Sequence, residues 1–394
     1  MSLRSKFSRR NVLKYGSLSG LGAFISACLS ANAPVPSATV APSVAAGGGA
    51  GTAPRADAIN WKFQTSFGQR DIIHEMGIGW ANKVTEMAGG RMKIDVLPAG
   101  AVVAAFDVID GVHSGSLDAG MGVPAYWWGK KRALTLFGTG PNFGMDADGW
   151  LGWYYYGGGQ ELWTEFIQKK LSLNVVSFLF GPFPNQPLGW FKNEIKGPDD
   201  FKGLKFRTVG IAIDTYAAMG ATVIALPGGE VVPALEKNTI DAAEFNNMTS
   251  DRALGFGDVR KVLMTGSYHQ PAETLEVQIN KGKWDALPKD LQAIVKYAAW
   301  AQSADMQWIF ADRNSKDYIE LLKAGVKFVR TPASVLDAQL KAWDGIIAKE
   351  TAADPDFGRV IQSQKAWAER VSNWRGAVDM ARPDIQSANY YFKK

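Results

Sequence analysis

An α/β fold built in two lobes is predicted by three features of the sequence. After residue 56, short apolar runs alternate with helical segments, which is typical of α/β proteins. This part of the chain has roughly 340 residues, enough for two lobes. Two similar stretches, LPAGAVV at 97–103 and LPGGEVV at 226–232, each precede a helix, which ends in SLDAG and TIDAAE respectively. They are consistent with lobes of similar build, although Leu-Pro-x-Gly is also ordinary turn chemistry before a helix.

The predicted elements form two sets. In the first, strands at residues 61–67, 92–97 and 117–121 alternate with helices at 77–87 and 106–113. In the second, strands at 204–209, 222–226 and 240–245 alternate with helices at 211–219 and 230–237. A Trp- and Tyr-rich passage lies between the sets, which therefore predict one α/β unit on either side of it.

A long helix is predicted at residues 290–324. This segment has no Gly or Pro, and its apolar residues recur at helical spacing: Leu291, Ile294, Val295, Ala298, Ala301, Ile309, Ile319 and Leu322. At 1.5 Å per residue, such a helix would span about 50 Å. Because this is longer than one lobe requires, we expect it to cross between lobes or to reach a second subunit.

The first 27 residues have the composition of an export signal. They contain five basic residues and no acid, and the apolar stretch at 18–27 is too short and too rich in Gly and Ser for a membrane span. SRRNVLK at 8–14 resembles a twin-arginine signal, although an Arg pair in an ordinary secretory signal is the alternative. The sequence therefore predicts a periplasmic protein.

The single cysteine, Cys28, follows Ile25-Ser26-Ala27 and resembles the lipidation site of bacterial lipoproteins. Residues 28–56 are rich in Ala, Pro, Ser and Gly, which predicts a disordered tether next to the lipid anchor. The alternative is cleavage after Ala31-Asn32-Ala33, which would release a free periplasmic protein. Without another thiol, disulfides and Cys-based metal sites are excluded.

Composition argues against a nucleic-acid partner and against an enzyme. The formal net charge is +5, and removing the five basic residues of the signal leaves the chain near neutral. The three histidines, His74, His113 and His269, are far apart and none has a partner at metal-ligand spacing, so each is interpreted as a surface or core residue. Neither a phosphate-binding loop nor a Gly-x-Ser-x-Gly motif occurs. The sequence therefore favours a binding protein.

Residues 203–245, GLKFRTVGIAIDTYAAMGATVIALPGGEVVPALEKNTIDAAEF, resemble the solute receptors of TRAP (tripartite ATP-independent periplasmic) transporters. Further matches are DVLPAGAVV, YWWGK at 126–130, WYYYGGG at 153–159, LGWFKNEIKGPDDFKGLK at 188–205 and ALGFGDV at 253–259. Together they cover most of residues 60–330. The sequence looks most similar to the branch that binds 2-oxo acids with a metal ion.

The resemblance implies a periplasmic-binding-protein-like fold of the class II type with a long C-terminal helix. We expect lobe 1 at residues 57–180 with returning segments from 271–330, lobe 2 at 181–270, and a helical region at 285–394 that bridges lobes or subunits. In the 2-oxo acid branch, C-terminal helices are exchanged between two subunits, which implies a homodimer. The alternative is a monomer whose helix braces both lobes, as in most of the wider family.

The function implied by the resemblance is that of an extracytoplasmic receptor. Two lobes would close over a small organic acid, a 2-oxo or hydroxy monocarboxylate, and the closed form would be presented to the membrane permease. Two alternatives are a sensor-type binding protein or enzyme of the periplasm, and a TRAP receptor that binds a dicarboxylate or a sugar acid without metal.

Arg207 is the leading candidate for holding that acid. It ends a predicted strand before a helix, where open α/β sheets place ligands. A guanidinium can hold a carboxylate by two parallel hydrogen bonds, which Lys cannot do. Strand alternation places Arg207 on the same face as Lys205, so a solvated strand face is the alternative. The resemblance implies that Arg207 grips the carboxylate.

Glu244, in AEFNN at 243–247, also lies at a strand end between apolar neighbours, where a carboxylate needs a cation or donors. The resemblance implies that Glu244, the Phe245 carbonyl and Gln186 coordinate a metal. Oxygen ligands suit Na⁺ or Ca²⁺. The sequence departs from the branch at Phe245, which is Trp there, and at Asn246 and Gln270. We include all five residues among the candidates for substrate binding, with a capped or Arg-paired surface acid as the alternative for Glu244.

Aromatic side chains could form the walls of a small pocket with few polar anchors. Tyr126 is the first candidate, and Phe67 is also included among the substrate-binding residues. The wider set comprises Phe67, Tyr126, Trp127, Trp128, Trp190 and Phe245, of which two or three are expected to line the pocket.

Overall fold

The computed structural model describes residues 58–378. The predicted export signal, Cys28 and the predicted tether lie outside the described residues, as does the segment after residue 378. No helix within residues 58–378 combines the length and the hydropathy that a membrane span requires.

The strands within this range are β1 (Ile59–Thr65), β2 (Met92–Leu97), β3 (Ala119–Gly122), β4 (Val175–Phe180), β5 (Gly189–Phe191), β6 (Lys205–Arg207), β7 (Thr222–Ile224), β8 (Ala242–Ala243), β9 (Val262–Thr265), β10 (Leu275–Asn280) and β11 (Lys327–Arg330). The helices are α1 (Ile72–Met87), α2 (Val108–Ser114), α3 (Ala147–Tyr156), α4 (Gly159–Thr164), α5 (Ala212–Ala218), α6 (Gly228–Glu236), α7 (Met248–Leu254), α8 (Phe256–Val259), α9 (Lys281–Asp285), α10 (Lys289–Lys323), α11 (Ala333–Ala353) and α12 (Pro355–Val378).

These strands form two mixed sheets. The first has the order β2-β1-β3-β10-β4, in which β1 is parallel to β2 and β3 while β10 is antiparallel to β3 and β4. The second has the order β11-β9-β5-β8-β6-β7, in which β6 is parallel to β7 and β8. We call each sheet with its helices the first and the second lobe. The predicted two-lobed α/β fold is confirmed.

Helix α1 begins five residues before the predicted start. Asp71 caps it by accepting a hydrogen bond from the Ile73 N–H at 3.0 Å, which places the start at Ile72. Gly77 lies inside the helix because α1 packs closely on β1: a Cβ at this position would lie 2.8 Å from Thr65 Cγ2. This glycine allows close packing and does not mark the helix end.

Helix α10 agrees with the predicted long helix to within one residue at each end. Towards its start, Val295 O accepts a hydrogen bond from Trp80 Nε1 of the first lobe at 3.3 Å. Towards its end, Asn314 Oδ1 accepts one from the Thr249 N–H of the second lobe at 3.0 Å. Helix α10 therefore contacts both lobes within one chain.

The last two helices pack on different lobes. Helix α11 packs against α5 of the second lobe. Helix α12 packs on the first lobe, where Trp367 Nε1 donates to Gly149 O at 3.0 Å and Arg359 pairs with Glu165 at 2.9 Å. Within one chain, the C-terminal helices therefore brace both lobes.

Candidate functional site

Arg207 and Glu244 lie side by side at one edge of the second sheet. Arg207 is the last residue of β6, and Glu244 directly follows the parallel neighbour β8. The Glu244 N–H donates to Arg207 O at 3.2 Å, which fixes this register. Lys205 is exposed, but only 1% of Arg207 is exposed. The alternative interpretation of Arg207 as part of a solvated strand face is therefore wrong.

The Arg207 guanidinium is held by four hydrogen bonds. Nε and Nη2 donate to Leu226 O at 3.0 and 2.8 Å, and Nη1 donates to Glu244 Oε1 at 2.9 Å and to Glu244 O at 3.1 Å. It also lies 5.5 Å from the centre of the Phe245 ring. A guanidinium has five N–H hydrogens, so these bonds leave at least one for a ligand. Glu244 is fully buried and paired with Arg207, so it is not a surface acid.

A buried carboxyl group, Glu273, gathers the other polar candidates. Its Oε2 accepts from Gln186 Nε2 at 2.6 Å and from Asn246 Nδ2 at 3.4 Å. Gln270 is also buried, and its backbone O accepts the Gln186 N–H at 3.1 Å. The pKa of Glu273 is raised to about 8, mainly by burial and to a smaller extent by the nearby negative charge of Glu244. Sequence analysis did not select Glu273, although the structure places it among three of the predicted residues.

Five buried polar atoms in this cluster have no hydrogen-bond partner within residues 58–378: Glu244 Oε2, Gln186 Oε1, His269 Nε2, and Oε1 and Nε2 of Gln270. Glu244 Oε2 and His269 Nε2 are 3.8 Å apart, which is too far for a hydrogen bond. Buried polar groups are rarely left unpaired in folded proteins. These atoms are therefore available to accept or donate hydrogen bonds to a ligand.

His269 is a buried histidine, as the core alternative of the sequence analysis expected, and it lies beside this cluster. It is 1% exposed and its Nδ1 lies 2.6 Å from Ser267 Oγ. The other two histidines have structural roles, since His74 Nδ1 bonds Thr65 Oγ1 at 2.8 Å and His113 Nδ1 accepts the Asn174 N–H at 2.8 Å. His269 alone among the three joins the cluster.

Tyr126 and Phe67 form an aromatic wall from the first lobe. Their ring centres are 6.0 Å apart, and both side chains are buried. Burial raises the pKa of Tyr126, and the nearby charge of Arg207 opposes this shift. Phe67 also lines a cavity of about 700 Å³ between the lobes, together with Gly228 of α6. A Cβ at Gly228 would lie 2.6 Å from the Phe245 ring, so glycine is needed there.

The remaining tryptophans of the predicted wall have partners elsewhere. Trp127 Nε1 donates to Glu276 Oε2 in the first lobe at 2.7 Å, and Trp190 Nε1 donates to Asp251 Oδ2 in the second at 2.7 Å. Trp128 packs against Arg132, whose guanidinium is 5.7 Å from its ring.

Contacts between the lobes hold them against each other beside this cluster. Asp71 Oδ1, at the start of α1, accepts a hydrogen bond from Ser250 Oγ of α7 at 2.7 Å. On the other side, Thr139 Oγ1 accepts the Ile211 N–H at 3.2 Å, and Arg132 pairs with Asp214. The structure is therefore that of a two-lobed protein with its lobes in contact.

The family described as bacterial extracellular solute-binding protein, family 7, matches residues 63–352 of this sequence. The chain belongs to this family. The members it resembles are TRAP solute-binding proteins, which bind and transport solutes and are not enzymes. The family also supports an extracytoplasmic location.

Three relatives illustrate the similarity. The monocarboxylate 2-oxoacid-binding periplasmic protein of Nostoc is 31% identical over 84% of this chain and 90% of its own length. A TRAP solute-binding protein of Bordetella bronchiseptica, a mixed-occupancy dimer with calcium and picolinate, is 29% identical, with a TM-score of 0.79 over 85% of this chain and 97% of its own. One from Pseudoalteromonas atlantica, with sodium and pyruvate, is 32% identical, with a TM-score of 0.77 over 85% of this chain and 100% of its own.

The residues of this family 7 protein fit a hard cation. Glu244 Oε2 and Gln186 Oε1 are buried oxygens without a hydrogen-bond partner, and oxygen is the ligand that sodium and calcium prefer. In the described part of the chain, no three His, Cys, Asp or Glu side chains converge as a metal site. The predicted set has one carboxylate, one amide and one backbone carbonyl, which is a different kind of site.

Two residues of the cluster, Glu273 and His269, come from the segment between β9 and β10. That segment, GSYHQPAET, holds several polar residues between two apolar strands, which was the available signal. Sequence analysis selected Gln270 from this connection, but not Glu273 or His269.

Proposed function

We propose that this protein is the receptor of a TRAP transporter for a small organic acid, a 2-oxo or hydroxy monocarboxylate. The observation that carries the proposal is a buried arginine with an available N–H. Beside it lie one carboxylate oxygen and one amide oxygen that have no hydrogen-bond partner among the described residues. The family membership and the ligands of the relatives support the same assignment.

In this proposal, Arg207 binds the carboxylate of the ligand. Leu226 O fixes the plane of the guanidinium, while Nη1 is shared with Glu244. A bidentate clamp needs two parallel N–H groups, so the ligand must replace one of the present acceptors. Because Glu244 is a side chain and Leu226 O is backbone, we expect Glu244 Oε1 to be the acceptor that moves.

Glu244, Gln186 and the Phe245 carbonyl would hold a sodium or calcium ion next to the ligand. The ion would offset the negative charge of two carboxylates in a site with one guanidinium. Asn246, Gln270, Tyr126 and Phe67 complete the proposed site, as a polar flank from the second lobe and an aromatic wall from the first. The closed pair of lobes would then be delivered to the membrane permease.

The same proposal includes the predicted segments outside the site. Residues 1–27 would direct export by the twin-arginine route, and Cys28 would carry the lipid, with 28–56 as the tether. Lobe boundaries at 57–180 and 181–270, the helical region at 285–394 and a homodimer joined through that region belong to the proposal as well. Support for the dimer comes from exposed aromatic residues on α10, where Tyr297 is 51% and Trp308 is 70% exposed in the single chain.

Native mass spectrometry of the mature protein as purified tests the central claim. We expect a co-purified organic acid, accompanied by sodium or calcium, that is recovered unchanged after denaturation. A dicarboxylate or a sugar acid without metal would contradict the proposed ligand and ion but keep the receptor. Chemical conversion of an added acid by the protein would overturn the receptor assignment in favour of an enzyme.

A further inference from the structure

The hydrogen bonds around Ser267 determine which nitrogen of His269 carries a proton. Gln339 Oε1 accepts the Tyr268 N–H at 3.0 Å, so its amide orientation is fixed by a backbone donor. Gln339 Nε2 therefore donates to Ser267 Oγ, at 2.8 Å. Because Ser267 Oγ accepts this bond, the hydrogen of its own hydroxyl is available for donation. The nearest acceptor for it is His269 Nδ1, at 2.6 Å.

This arrangement leaves the proton of a neutral His269 on Nε2. A neutral imidazole has one N–H and one acceptor nitrogen, so a hydrogen bond accepted at Nδ1 places the N–H at Nε2. The opposite tautomer would turn the Nε2 lone pair towards Glu244 Oε2, 3.8 Å away, and two acceptors would face each other. His269 therefore presents an N–H to the site, and this N–H is buried without an acceptor in the described part of the chain.

Glu244 relates this N–H to Arg207. One oxygen of the Glu244 carboxylate accepts from Arg207 Nη1, and the other lies nearest to His269 Nε2. A ligand whose carboxylate reaches Arg207 therefore has its adjacent carbon close to the Glu244–His269 gap. An oxygen on that carbon would accept the His269 N–H, and a hydroxyl there could in addition donate to Glu244 Oε2.

We propose that His269 is a specificity residue that reads the oxygen on carbon 2 of the ligand through its Nε2–H. This inference rests on the proposed function and narrows the ligand to acids with an oxygen at carbon 2. An acid with a methylene at that carbon would leave the N–H buried and unpaired, which is costly. Ser267 is a positioning residue, since it holds the imidazole in the required tautomer.

The test compares three acids of similar size: pyruvate with a keto oxygen, L-lactate with a hydroxyl, and propionate with neither. Affinities are measured by isothermal titration calorimetry on the mature protein and on His269→Leu, His269→Gln and Ser267→Ala. We expect His269→Leu to lose about tenfold or more in affinity for pyruvate or lactate, with propionate changed less than about twofold. His269→Gln, whose amide N–H can replace Nε2–H, should keep part of the preference, and Ser267→Ala should lose part of it.

His74→Leu is the matched control. His74 is also buried and its Nδ1 also bonds a hydroxyl, that of Thr65, but it lies outside the cluster. We expect it to leave the ratio between pyruvate and propionate unchanged. An equal loss for all three acids in both His269 variants, or an unchanged ratio, would overturn the inference. Binding of none of the three acids by the wild-type protein would overturn the proposed function together with it.

Discussion

Arg207 is held by backbone and side-chain acceptors of its own lobe as well as being the proposed contact to the ligand. Its substitution by Lys removes the paired N–H groups while keeping the charge. We expect Arg207→Lys to weaken acid binding by about 1.5–3 kcal/mol, in the range of a charged hydrogen bond. It should also lower the melting temperature, because Leu226 O and Glu244 lose donors. Calorimetric titration and thermal unfolding give both quantities.

Arg260 provides the control for this change. It is also buried, at 8% exposed, but its hydrogen bonds go to backbone carbonyls such as Asp241 O at 2.9 Å, away from the cluster. Arg260→Lys should lower stability and leave affinity unchanged. Full affinity in Arg207→Lys would rule out the clamp.

The unpaired oxygens of Glu244 and Gln186 lead to a prediction about ions. If they bind a cation together with the acid, dialysis against chelator and sodium-free buffer should abolish the rise in melting temperature that pyruvate causes, since ligand stabilisation follows mass action. Separate addition of Na⁺ and Ca²⁺ should show which ion restores it. Unchanged stabilisation after dialysis would leave Glu244 as a direct acceptor for the ligand.

At the scale of single residues, a site residue could be predicted from the sequence when the sequence pattern also showed where in a strand it lies. Arg207 and Glu244 follow apolar runs, and the carboxyl ends of parallel strands meet at one edge, so both could be selected. Glu273 and His269 were not selected, because residues that they approach are distant in sequence: Gln186 lies 87 residues from Glu273. Strand alternation predicted that Arg207 and Lys205 share one face. Arg207 is nevertheless buried, because the strand ends there and its side chain turns into the cluster.

Strand β10, an interior strand of the first sheet, carries a buried acid. Glu276 accepts hydrogen bonds from Trp127 Nε1 at 2.7 Å and Gln278 Nε2 at 2.8 Å, and burial raises its pKa from 4.5 to about 7. Between these two pH values the unfolded chain has released this proton and the folded protein still holds it. The free energy of unfolding should therefore fall as pH rises through this window, by at most about 1.4 kcal/mol per pH unit from this residue.

Urea denaturation of the ligand-free protein between pH 5 and pH 8 tests this. Glu276→Gln is neutral at every pH, so its stability should decline less steeply than that of the wild type. Glu165→Gln is the comparison, because Arg359 lowers the pKa of Glu165 and its contribution is lost as pH falls. Parallel curves for Glu276→Gln and the wild type would show that Glu276 is ionised in the folded protein throughout.

At the scale of elements, long periodic segments were predicted better than short ones. Helix α10 was placed to within one residue at each end because no glycine or proline interrupts it. Strand β8 has two residues where six were predicted, because the chain turns at Glu244 into the site. Strands β4 and β10 were not predicted, since the strands with which they pair lie far away in sequence.

The packing of α12 leads to a prediction about the oligomeric state of the whole molecule. Phe357 and Val360 of this helix are fully buried against the first lobe. In an exchanged dimer, the same surface would be covered by the helix of the second subunit. Light scattering of the mature protein at micromolar concentration should give close to twice the chain mass. Truncation after residue 350 removes α12 and should give a less stable monomer.

A single-chain mass for the intact protein would end the dimer hypothesis without affecting the receptor assignment. A truncated protein that stays dimeric would instead place the interface elsewhere, with the exposed face of α10 as the next region to change.

The order in which strands join the first sheet has a consequence for synthesis on the ribosome. Strand β10 lies between β3 and β4, yet it is made only after most of the second lobe. Until residue 280 has emerged, β3 is an open edge and β4 has no partner in the sheet. The nascent chain therefore exposes this pairing surface while residues 123–280 are made, and a chaperone that shields such edges would act on the first lobe after strands β1 to β4 have left the ribosome.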